Sequence, residues 1–110
     1  MKTIIQTPRI NARVELIDFI NEKVGKLKHL SERILEAQVV LKTDKSDSRN
    51  NKVCEIKLVI PGNDLFARCQ SDTFEEAVQQ AVHACGGQVR KWKNKLEERK
   101  TTAPSSPEER

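Results

Sequence analysis

Between Gln88 and Lys100 the chain carries six basic residues, Arg90, Lys91, Lys93, Lys95, Arg99 and Lys100, against two acidic ones, Glu97 and Glu98. The local excess of +4 equals the formal charge of all 110 residues. Ammonium and guanidinium groups concentrated in this way suit the capture of a polyanion, because neutralised phosphates release condensed counterions. A second basic set, Lys23, Lys26 and Arg33, stands among Glu15, Asp18, Glu22 and Glu32, so its case rests on segregation rather than on net charge. Other chemistry is poorly supplied. His29 and His83 fall outside any ligand spacing, and Cys54, Cys69 and Cys85 form no Cys-x-x-Cys pair, so they read as buried free thiols. There is no Ser/His/Asp set, no Gly-rich phosphate loop and no pair of inward carboxylates. An enzyme, a metal or cofactor site and a small-molecule substrate are therefore not expected.

The basic residues need rigid elements to hold them. Phe74, Ala77, Val78, Ala81, Cys85, Val89, Trp92 and Leu96 recur at steps of three and four, which predicts one long amphipathic helix. Thr73 followed by Glu76 fits a capping box at its start. At 100° per residue Lys91, Lys95 and Arg99 descend one flank of the apolar stripe, and Lys93 and Lys100 the other. Gly86 and Gly87 interrupt the composition but not the phase of the stripe. They mark a kink or a close approach to the backbone, not the helix end. Trp92 lies on the stripe, where a core role is expected over a stacking platform.

A first helix is expected from an N-cap at Asn11 to about His29, burying Leu16, Ile17, Ile20, Val24, Leu27 and Leu30, with Lys23, Lys26 and Arg33 together on one flank. Before it, KTIIQT is β-prone and ends at Pro8. From Leu35 the period becomes two: Leu35, Ala37, Val39 and Leu41 point inward. Cys54, Ile56, Leu58 and Ile60 do the same in a second run, with Val53, Glu55, Lys57 and Val59 outward, and Pro61-Gly62-Asn63-Asp64 turns the chain into a third run with Leu65, Ala67 and Cys69 inward. The expected fold is α+β, ordered β-α-β-β-β-α, a four-stranded mixed sheet with both helices packed on one face. The first two strands are expected to be parallel and the rest antiparallel. Residues 1–100 read as one domain. Residues 101–110, with two prolines and no apolar period, read as a disordered tail.

With 33% charged and 36% hydrophobic residues, no membrane span and no signal peptide in MKTIIQTPRI, the composition points to a cytoplasmic protein. If both helices cover the same face, their flanks can edge a common groove between Lys23, Lys26 and Arg33 on one side and Lys91, Lys95 and Arg99 on the other. With no Tyr, one Trp and three Phe, and Phe66 the one aromatic on the open sheet face, such a surface suits the shape and phosphates of folded RNA better than its bases.

EKVGKLKHLSERI in the first helix, the strand EAQVVLK, and TFEEAVQQAV with QVRKWKNKL in the second helix resemble the family of ribosome hibernation-promoting factors and ribosome-associated inhibitors, also described as sigma factor modulation proteins. The resemblance covers residues 1 to about 97. It implies a fold similar to double-stranded-RNA-binding domains, binding to the small ribosomal subunit and its rRNA on the messenger and transfer RNA path, and silencing of translation in stationary phase or stress. It implies rRNA contacts at Lys23, Lys26 and Arg33, and at Lys91, Lys93 and Lys95, with Arg90 and Arg99 extending the same surface. Family members commonly carry basic residues where this chain has Ala84 and Gly87. The chain is similar to the short forms, without a second domain, and is expected to be monomeric when free. A reading of another class is a protein-interaction regulator acting on a sigma factor.

Overall fold

The structure is a computed structural model that describes residues 1–46, 49 and 51–101, with side chains as far as Leu96. Its elements follow the expected order: β1 (Lys2–Gln6), α1 (Val14–Gly25), a 3-10 turn (Lys26–His29), β2 (Glu36–Thr43), β3 (Lys52–Ile60), β4 (Asn63–Ser71) and α2 (Phe74–Thr101). The four strands form one sheet in the order β1-β2-β3-β4. β1 pairs with β2 in parallel, and the other two pairings are antiparallel. The edge position of β1 suits a strand that Pro8 cuts short. The β3–β4 turn is tight, with Ile60 opposite Asn63, and Gly62 takes the positive φ (85°) that a type II turn asks of the residue after Pro61.

Strand alternation sorts the side chains as the sequence predicts. Ala37, Val39, Leu41, Cys54, Ile56, Leu58, Ile60 and Ala67 meet Ile20, Val24 and Leu27 from the α1 side and Ala77, Val78, Ala81, Cys85 and Val89 from α2 in one core. The three thiols share that layer: Cys54 and Cys69 are cross-strand partners and Cys85 lies above them. Burial first, then the neighbouring thiols, pushes Cys54 and Cys85 up to about 12, and burial raises Cys69 as well.

Three local expectations are corrected and a fourth is refined. Asn11 is not the cap of α1; the cap is Arg13, without a side-chain bond, and its carbonyl accepts from Leu16 and Ile17. The helix then tightens to a 3-10 turn after Gly25 instead of continuing as α-helix to His29. Leu35 is 57% exposed and Ile34 is buried in its place. Leu35 precedes the first paired residue of β2, so the pleat does not fix its direction. Val53 does project from the open face but is fully buried, flanked in register by the long side chains of Lys42 and Gln70. Thr101 closes α2, and the rest of the expected tail lies outside the described residues.

Candidate nucleic-acid interface

α2 is started by Thr73, whose hydroxyl accepts from the Glu76 N–H at 3.1 Å. The reciprocal half of the box is replaced: the Glu76 carboxylate accepts from the buried Ser71 hydroxyl at 2.6 Å, which ties the end of β4 to the helix. Glu75 and Glu76 in the first turn and the basic residues toward the other end both complement the helix dipole. The helix runs unbroken through Gly86 and Gly87 for 28 residues. A Cβ at Gly86 would meet the Arg90 guanidinium at 3.5 and 3.6 Å and Leu30 Cδ1 at 3.7 Å, whereas Gly87 faces open space. These are ordinary van der Waals distances, so neither glycine is demanded by a close approach, and there is no helix break.

The two flanks of α2 look in different directions. α2 packs on β3 and β4, and on α1 and the 3-10 turn at its side. On the 3-10 turn side lie Gly86, Arg90 and Lys93, whose Nζ donates to the Leu30 carbonyl at 2.6 Å. On the other side Gln88 Nε2 donates to the Phe66 carbonyl of the edge strand β4 at 2.7 Å, and Lys91 and Lys95 lean over the β3–β4 turn. Lys91 and Lys95 therefore do not share a groove with Lys23, Lys26 and Arg33. A helical wheel gives two flanks, but the sheet order decides which of them faces the other helix. Arg99 is in the last turns of α2, where side chains lie outside the described residues.

On the α1 side, Lys23 is half-buried with its ammonium 5.5 Å from the Phe19 ring centroid. Lys26 is exposed on the 3-10 turn, and Arg33 is exposed in the loop before β2, where its N–H donates to the Ser31 hydroxyl. Among the described residues, none of Lys23, Lys26, Arg33, Arg90, Lys91, Lys93 and Lys95 makes an ion pair. The ion pairs found there are on the open sheet face: Lys42 to Glu55 at 3.1 Å, Arg68 to Glu55 at 3.5 Å and Lys57 to Asp64 at 3.9 Å. The helix side thus keeps its cations available for an outside anion.

One feature of this surface is absent from the sequence reading. The Pro61–Asn63 turn, Leu65, Lys91, Trp92 and Lys95 line a cavity of about 490 Å³ between α2 and the end of the β3–β4 hairpin. Its only advance signal is the i, i+4 spacing of Lys91 and Lys95 around Trp92, because the hairpin wall comes from 30 residues earlier. Among the described residues no cluster of His, Cys, Asp and Glu is placed to hold a metal ion, and no helix is long and apolar enough to cross a membrane.

The fold and the one-sided cations define an α+β protein with a basic helix layer over a sheet whose other face is charge-paired. Residues 3–97 match the family model described as sigma 54 modulation protein / S30EA ribosomal protein, and the chain belongs to this family of ribosome-associated modulation proteins. Among solved structures it is similar to a ribosomal subunit interface protein from Coxiella burnetii, with 17% identity and a TM-score of 0.76 over 86% of this chain and 99% of that one. It is also similar to the N-terminal domain of Protein Y from Thermus thermophilus, with 19% identity and a TM-score of 0.72 over 84% and 99%. At these identities the likeness speaks for the fold. No curated protein gives a significant match.

Proposed function

We propose that this protein binds the small ribosomal subunit through its helix layer, where Lys23, Lys26, Arg33, Arg90, Lys91, Lys93, Lys95 and Arg99 contact rRNA phosphates. Bound there, it obstructs the messenger and transfer RNA path and silences translation under stress or in stationary phase. It acts as a non-catalytic, cytoplasmic binder, monomeric when free, through one unit spanning residues 1–100. The observation that carries this reading is the contrast in pairing: exposed cations on the helix side have no carboxylate partner among the described residues, while Lys42, Lys57 and Arg68 on the sheet face do. Family membership supports the ribosomal target.

Two of the eight residues have structural work as well. Lys93 holds the carbonyl that ends the 3-10 turn, and Lys23 lies over Phe19. Lys26, Arg33, Arg90, Lys91 and Lys95 carry no such bond, so they are the ones expected to contribute most to binding. Co-sedimentation with purified small subunits across a salt series tests the proposal. Binding is expected to weaken with a log–log slope of several units, as several phosphate contacts require. A flat salt response, or binding to a sigma factor without binding to the subunit, would reject it.

A further inference from the structure

The cavity between α2 and the β3–β4 hairpin has a composition that the phosphate reading does not use. Its walls combine an indole, two leucines and a proline with two ammonium groups and the carboxamides of Asn63 and Gln88, and among the described residues no carboxylate lines it. Trp92 is only partly buried, so part of its surface is given to the cavity instead of the core. Lys91 and Lys95 stand one turn apart on the same rim, too close for either to relieve the other, which leaves the rim electropositive. At about 490 Å³ the space falls within the range of small-ligand sites and exceeds what a lone phosphate needs.

We infer that this cavity receives a single unstacked nucleotide of an RNA strand, its base against Trp92 and Leu65 and its phosphate between Lys91 and Lys95. The inference rests on the ribosomal reading above and deepens it: the helix layer reads not only phosphates but one extruded base. The observations favour RNA over an acidic peptide because the cavity pairs a flat aromatic wall with carboxamides. The wall offers a stacking surface that every base can use, and the carboxamides can meet a base edge. An acidic peptide would use the ammonium groups and leave the indole and amides without a matched partner.

Trp92 is the only tryptophan in the chain, so its emission reports on this cavity alone. A short single-stranded RNA is expected to quench that emission saturably, with weakening as salt rises, while a duplex RNA of equal charge binds with little quenching because its bases stay stacked. Polyglutamate is expected to leave the emission unchanged. RNA binding seen by anisotropy without quenching would overturn the inference, as would quenching by polyglutamate and not by RNA.

Subunit binding separates this inference from the one it rests on. Trp92→Leu is expected to weaken co-sedimentation with the small subunit about tenfold, the scale of one lost base stack, and Trp92→Phe to restore most of it at an equal melting temperature. Should Trp92→Leu fail to fold, the wild-type quenching series and Trp92→Phe decide the matter. Full affinity of a folded Trp92→Leu would overturn the nucleotide site and leave the ribosomal reading standing. Absence of wild-type co-sedimentation would remove the ribosomal reading itself.

Discussion

The two faces of this molecule both carry charge and use it in opposite ways. On the open face of the sheet, Glu55 sits opposite Arg68 and diagonal to Lys42, and Lys57 sits diagonal to Asp64, so strand pairing brings opposite charges within reach. On α2, Lys91 and Lys95 are four residues apart on one flank, where like charges disfavour the helix by a few tenths of a kcal/mol. Neither has a carboxylate partner among the described residues. A face that balances its own charge has little left for a partner, whereas a face that tolerates internal repulsion gains most when an anion arrives. For this reason the proposed binding face is the helix layer, even though the sheet face is the one left uncovered.

The contrast can be broken at the level of packing first. Leu58 and Val59 are neighbours on β3 that point to opposite faces, Leu58 fully buried and Val59 half-buried. Leu58→Ala is expected to cost about 2–5 kcal/mol in urea unfolding and Val59→Ala about 1 kcal/mol or less. Equal costs would show that the open face is as tightly packed as the covered one.

Charge reversal comes next. Lys91→Glu with Lys95→Glu is expected to weaken small-subunit binding about a hundredfold at fixed salt, with circular dichroism unchanged. Lys42→Glu with Lys57→Glu is expected to change it by less than about threefold, since those cations are already paired. A matching loss from the sheet pair would move the binding surface to the open face.

Alkaline pH sharpens the comparison because all three thiols lie on the covered face. In the fold Cys54 and Cys85 hold their protons up to about 12, above the ordinary value of 9.0, while unfolded thiols ionise earlier. The stability is therefore intact below about pH 9 and falls as pH rises toward 12, by about 1.4 kcal/mol per pH unit for each thiol. Denaturant titrations at pH 8 and pH 10 check this, and Cys54→Ala is expected to flatten the dependence. The smallest effect is on α2 itself: Gly87→Ala, which meets open space, is expected to raise stability by up to about 1 kcal/mol and leave subunit binding unchanged. Lost binding would place the partner against the backbone there.

Much of the fold was legible because its signals are periodic and local. The stripe from Phe74 to Leu96 predicts α2, and the alternation in β3 and β4 predicts their inner faces. The failures fall where periodicity ends. Leu35 lies one residue before the paired strand and Asn11 two residues before the true cap. Half of the capping box failed for a related reason, since Ser71 competes successfully for the Glu76 carboxylate.

By itself, then, the sequence determined the element order, most of the core and the concentration of cations on the second helix, because each follows from side-chain spacing along one segment, and the parallel first pairing, because a strand–helix–strand crossover requires it. It also determined which residues share a flank of that helix. Only the tertiary structure decided where those flanks point: once the buried stripe fixes the rotation of α2 on the sheet, Gln88 bonded to Phe66 and Lys93 bonded to Leu30 show which flank meets β4 and which the 3-10 turn. That rotation turns Lys91, Trp92 and Lys95 toward a hairpin 30 residues away in the chain and forms the cavity there. Spacing along a chain sets angles around a helix, but the orientation of that helix on the sheet depends on contacts between segments that no local pattern encodes.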